Sequence, residues 1–399
     1  MKKPLMFAAF LCGCLLTTAA FASEGKQPGF KFCTGKVSVD PVVNLGLFWE
    51  SNMNNTSHHE ESGFGWRIQP ALSISYTAKR TTLGVNMFYT AERVFDGDKG
   101  GDSDSYGVNF TLLHKLNERT RLTMNGSYTR SENDNFYWAN DPLQTGYLDK
   151  DKSENYNFNT ALGYTAKKWH SSIGAGWRRT KQLDGAKQVS DAFTLNGMWG
   201  KAMGAHTYWD VSLGLTLDRP DDGDDSISYT LMTGISGDVN ARTTYSAMFG
   251  LTIYDYSGFV DDTAYGPAYN ISGSYRLSRK VTLSLSASSR YESEYAGYGA
   301  AQHYYVFSHT LTAAANFQWT DIFSSRLDAR VNLEQHEDVS AGTGNADRTY
   351  YQLRASSYYK FNQYSTLYGS LSYSMDEYDR SSNSDKDNVR CEVGLSFRF

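Results

Sequence analysis

The stretch that decides the fold is the last one, N-V-R-C-E-V-G-L-S-F-R-F over residues 388–399. Val389, Cys391, Val393, Leu395, Phe397 and Phe399 take alternate positions, with polar residues or glycine between them. Side chains of a strand point to opposite faces in turn, so this segment has one apolar and one polar face. The pattern extends backwards through the chain. In 66–76, Trp66, Ile68, Pro70, Leu72, Ile74 and Tyr76 oppose Arg67, Gln69, Ala71, Ser73 and Ser75. In 281–291, Val281, Leu283, Leu285, Ala287 and Tyr291 oppose Thr282, Ser284, Ser286, Ser288 and Arg290.

Such runs recur from residue 37 to residue 399 and number eighteen, among them 37–51, 120–134, 153–165 and 388–399. Their connections alternate, short as in 79–81, 117–119, 166–168 and 362–364, long as in 52–65, 97–104, 135–152, 219–225 and 337–347. The expected fold is all-β, a transmembrane antiparallel up-and-down β-barrel of about eighteen strands. The first and last connections are both long, which puts both termini on the side of the short turns, the periplasm. The terminal strand resembles the signal read by the barrel-assembly machinery of the outer membrane, with Val393, Leu395, Phe397 and Phe399 as its apolar positions.

Mean hydropathy is −0.52. Alternating faces cancel in any averaging window, so this value is compatible with a membrane barrel. Residues 1–22 read as a signal peptide: Lys2 and Lys3, an apolar middle, then Ala20-Phe21-Ala22 before Ser23. A lipoprotein box at Leu11-Cys12-Gly13-Cys14 is the rival reading, and it would strand the apolar run 15–22. Residues 23–36 form a short periplasmic segment and 37–399 the barrel. Without the leader, 43 acidic residues face 36 basic ones, which argues against a nucleic-acid partner. Cys33 and Cys391 are too few for a disulfide framework, and their positions set them too far apart to bridge.

Charges cannot face hydrocarbon cheaply. Arg67, Glu92, Arg121, Arg178, Asp210, Arg290, Glu292, Arg326, Asp328, Arg330, Glu334, Arg354, Arg390 and Glu392 are therefore expected to line the lumen. The late arginines could steer anions; salt bridges to Glu292, Asp328, Glu334 and Glu392 that stiffen the wall are the favoured reading. Trp49, Trp66, Tyr76, Trp169, Trp177, Trp199, Trp209 and Trp319 are expected in interfacial girdles. Phe48, Phe88, Tyr350, Tyr358 and Tyr368 point inward but are scattered. The acidic stretches 96–104 and 218–226 lack EF-hand spacing. Ser308 and His309 are strand neighbours on opposite faces and cannot form a dyad. No metal spacing, phosphate loop, dinucleotide fingerprint or nucleophile constellation is evident, so neither a cofactor nor an enzyme is expected.

H-K-L-N-E-R-T-R-L (114–122), Y-R-L-S-R-K-V-T-L (275–283) and Y-K-F-N-Q-Y-S-T-L (359–367) share one plan, which reads as repeated hairpins without a site. These turns and the first hairpin, V-S-V-D-P-V-V-N-L-G-L-F-W-E-S-N-M-N-N then W-R-I-Q-P-A-L-S-I-S-Y, resemble a family of β-barrel porins over about residues 37–399. Members often belong to exopolysaccharide secretion systems. The resemblance implies a conduit for exopolysaccharide, partnered by a periplasmic polysaccharide export protein and an inner-membrane co-polymerase, in a membrane of lipid and lipopolysaccharide. A general or oligosaccharide diffusion porin is the alternative, and a barrel enzyme a distant one.

Overall fold

The computed structural model describes residues 30–32, 36–52, 62–95, 102–137, 147–183, 189–221, 225–256, 262–296, 302–338, 347–378 and 386–399. The leader read over 1–22 and Cys33 lie outside them. A short β1 (Phe30–Phe32) precedes eighteen long strands. These are β2 (Val37–Glu50), β3 (Gly63–Thr77), β4 (Thr81–Val94), β5 (Ser103–Lys115), β6 (Thr120–Tyr137), β7 (Tyr147–Thr165), β8 (Trp169–Gln182), β9 (Val189–Ala202) and β10 (Thr207–Pro220). There follow β11 (Ser226–Asn240), β12 (Thr243–Tyr256), β13 (Asp262–Arg276), β14 (Val281–Ala296), β15 (Gln302–Gln318), β16 (Phe323–Asp338), β17 (Arg348–Lys360), β18 (Ser365–Tyr378) and β19 (Lys386–Arg398).

Each long strand pairs antiparallel with the next, and β19 pairs with β2, so the sheet closes. Closure leaves no free edge, as lipid demands. Two details add to the expected layout. Within the segment before residue 37, β1 pairs antiparallel with Val37–Val39, below the point where β19 stops pairing at Val42. The fifth and sixth barrel strands, β6 and β7, run on to Tyr137 and back from Tyr147, beyond the expected 134 and 153. The added residues pair Asn135, Phe136 and Tyr137 with Asp149, Leu148 and Tyr147, and neither added stretch alternates apolar with polar residues.

The repeated turn motif has a physical cause. Asn117 and Asn362 occupy its same position, and each Oδ1 accepts two backbone N–H groups that open the next strand. Ser278 Oγ does the same for Lys280 and Val281. These are side-chain caps that reverse the chain tightly. Val37 lies opposite Tyr76, and Phe397 opposite Ser365, so both ends of the barrel domain sit at the end of the short turns. A tag inserted at 362–364 should therefore escape antibody on intact cells, whereas one in the long connection 138–146 should be labelled; the reverse pattern would invert the orientation.

One ladder is incomplete. β13 and β14 pair only from Asn270–Ser288 to Arg276–Thr282. Beyond Asn270, Tyr269 offers the next amide toward β14 and gives it to a side chain, and Pro267, the next in that direction, has no N–H to give. Ser289 Oγ fills in, accepting from Tyr269 N at 3.0 Å and donating to Pro267 O at 2.9 Å.

Candidate functional site: the lumen

The barrel is apolar on the outside. Leu47, Ile173, Leu213, Leu231, Leu285 and Leu353 are each more than half exposed, all on outward positions. A soluble fold would bury them; here they form the lipid-facing band. Aromatic rows border it. Near the long connections Tyr106, Tyr128, Tyr156 and Trp177 follow one another on β5 to β8, with centroids 4.9–6.3 Å apart. At the short-turn end lie the pairs Tyr164–Trp169, Trp199–Trp209 and Phe317–Trp319. The chain is thus an outer-membrane β-barrel. Past the upper row outward ion pairs appear, where Arg93 grips Asp104 and Arg179 grips Asp191. Cys391 is exposed on the outer face, as the alternation requires.

Register puts Arg67, Glu92, Arg121, Arg178, Asp210, Arg290, Arg326, Asp328, Arg330, Glu334, Arg354, Arg390 and Glu392 on the inner face. The side chain of Glu292 lies outside the described residues. Ser308 is buried on the inner face, while His309 faces outward against Tyr269, so the two diverge as expected. Among the described residues no cluster of three or more metal-binding side chains occurs.

Three groups stand out among the inner charges. The first spans the closure. Arg67 Nη2 is 2.6 Å from Glu392, and Arg390 reaches Glu92 at 2.8 Å and Glu50 at 3.2 Å. The Arg390 guanidinium also lies 4.2 Å from the Phe48 ring centroid. These contacts tie together β19, β2, β3 and β4. In the second group Arg348 meets Asp376 at 2.8 Å and Glu334 at 3.4 Å. The third pairs His170 with Asp210 at 3.1 Å, and Ser236 Oγ donates to the same carboxylate. Sequence reasoning missed Glu50, Arg348, Asp376 and His170 as partners, although parity marks each as inward. What parity lacks is the strand-to-strand register that decides who meets whom.

Glycines sit opposite aromatic rings at four points of the inner or outer wall: Phe48–Gly65, Phe88–Gly107, Phe110–Gly126 and Tyr368–Gly394. Each ring lies over the bare backbone of its partner, where even a Cβ would meet it at 3.0 Å or less. Three of the inward aromatics that looked scattered are thereby explained as covers for glycines.

The late arginines divide. Arg326 is clamped by Asp328, whose two oxygens accept from its Nε and Nη2 at 2.6–2.8 Å. Arg354 lies directly opposite Asp328 across the ladder but finds that carboxylate already taken. Arg330 is diagonal to Arg354, facing Gln352. Neither Arg330 nor Arg354 has an ion-pair partner among the described residues. Both border a lumenal recess of about 1050 Å³, shared with Ser272, Ser286, Thr312 and Tyr358. Wall-stiffening salt bridges therefore account for Arg326 and Arg390 and leave Arg330 and Arg354 free.

The recess belongs to a longer row. Ser236, Ser246, Ser272, Ser286, Thr312, Arg330, Gln352 and Ser374 are successive cross-strand partners from β11 to β18. Ser236 is close to the short turn 241–242, whereas Ser374 is near the far end of β18. Strand tilt converts a row of hydrogen-bonded neighbours into a ramp from one mouth toward the other.

No family model matches the chain, and neither does any curated protein. Among solved structures, the chain is similar to the ferric-catecholate import receptor Fiu from E. coli K12 at 11% identity, covering 94% of this chain and 82% of that one, with a TM-score of 0.47. It is similar to the FrpB iron transporter from Neisseria meningitidis (F5-1 variant) at 7% identity, covering 90% and 82%, TM-score 0.49. It is also similar to the outer membrane protein opdK from Pseudomonas aeruginosa at 11% identity, covering 90% and 99%, TM-score 0.45.

Proposed function

We propose that this barrel is a conduit for exopolysaccharide across the outer membrane. The observation that carries the reading is the ramp of serine, threonine and glutamine on the inner wall. Hydroxyls and amides both donate and accept, so they exchange hydrogen bonds with sugar hydroxyls one for one. Because neighbouring strands are only about 4.8 Å apart, such groups recur at close intervals and no step strands a polar group. The apolar outer band, the closed wall and the resemblance in the hairpin motifs agree with it. The role is passage, with no bond made or broken by the barrel.

Deletion of the gene should abolish surface or secreted polysaccharide and leave growth on small nutrients unchanged. Unaltered polysaccharide together with slower sugar uptake would replace the reading by a diffusion porin.

A further inference from the structure

We infer that Arg330 and Arg354 form a binding site in the lumen for the carboxylate of an acidic saccharide. The inference rests on the conduit reading for the saccharide and on local geometry for the carboxylate. Four charged side chains meet here, and three are arginines. Asp328, the one acid, gives both oxygens to Arg326. Arg330 and Arg354 are diagonal neighbours on β16 and β17. Diagonal pairs lie about 7 Å apart, close enough for long side chains to converge on one ligand and close enough to repel without one. Elsewhere in the lumen Arg67, Arg348 and Arg390 each hold a carboxylate of the chain itself. The free pair stands out because Arg330 faces only Thr312 and Gln352 across its ladders, while Arg354 faces Ser372 on one side and, on the other, an Asp328 whose oxygens are both given to Arg326.

The ligand class follows from what surrounds the pair. Guanidinium is planar and matches a carboxylate through paired N–H donors. Thr312 and Gln352 flank Arg330 on either side along the ramp, offering partners for ring hydroxyls next to the acid group. Tyr358 lines the same recess, and an aromatic ring beside it suits the apolar side of a sugar. A recess of about 1050 Å³ takes a saccharide of a few units rather than a lone anion.

The test uses the purified full-length barrel in planar bilayers, with oligogalacturonate, a neutral malto-oligosaccharide of equal length, and acetate added in turn. Oligogalacturonate should interrupt the ion current, and the other two should not. In Arg330→Gln/Arg354→Gln the blocking affinity should fall by about tenfold or more, the scale expected for losing charge-assisted hydrogen bonds. Asp328→Asn removes the competing acid and should strengthen the block, a change in the opposite direction that misfolding cannot imitate. Equal block by the neutral oligosaccharide overturns the carboxylate, equal block by acetate overturns the saccharide, and unchanged block in the double variant overturns the two residues. None of these outcomes depends on whether the gene is needed for polysaccharide secretion, so the site and the conduit reading stand or fall separately.

Discussion

Gly394→Val should leave almost no folded barrel. Gly394 and Gly46 face each other across the closing ladder, and the Tyr368 side chain lies over both. A Cβ at Gly394 would come within 2.2 Å of the Leu45 carbonyl oxygen and 2.4 Å of the Tyr368 hydroxyl. Overpacking typically costs about 1–3 kcal/mol when side chains can yield. Here the obstacle includes backbone of the strand that must pair to close the barrel, so Tyr368→Ala should not rescue it. Gly46 differs: its Cβ would meet only side chains, Tyr368 Oη at 2.8 Å and Glu392 Oε1 at 2.9 Å. Gly46→Ala should therefore be milder, and milder still with Tyr368→Phe. Heat-modifiable gel migration reads folded yield; wild-type yield from Gly394→Val would refute the tight seam.

Arg390→Ala should destabilise the barrel by about 3–5 kcal/mol, the usual cost of removing one partner from a buried ion pair. Its side chain is only a quarter exposed, and its removal leaves Glu50, Glu92 and Glu392 with Arg67 as their one remaining cation in the cluster. Lysine should restore part of the loss, because a point charge cannot fork to Glu50 and Glu92 as guanidinium does. The urea midpoint is the measurement, and a midpoint equal to wild type would mean the network is incidental to closure.

How much of this was legible in the sequence varies with the link. Period-two alternation fixes strand number and facing, since a one-residue error would turn every side chain to the wrong medium. Both follow from residues such as Val393 and Arg390 without any structure. The partnerships do not. That Arg390 meets Glu92, 298 positions away, depends on which strands close the ring. That Asp328 serves Arg326 and leaves Arg354 free depends on a choice between two neighbours at similar range. The ends of β6 and β7 were unreadable for a different reason: residues 135–137 and 147–152 do not alternate apolar with polar in sequence. The turn repeat was visible, but the capping role of Asn117, Ser278 and Asn362 needed coordinates.

The missing amide of Pro267 has a mechanical consequence. A closed ring resists widening through the hydrogen bonds of every ladder in series, and a ring under hoop tension yields where it is least reinforced. With pairing confined to seven residue pairs, the wall between β13 and β14 is that place. Above Asn270 the two strands are linked by the hydroxyl of Ser289 in place of a ladder. Barrel cross-section is then not uniformly stiff: the half toward the long connections is compliant along one line, while the half toward the short turns remains a rigid hoop.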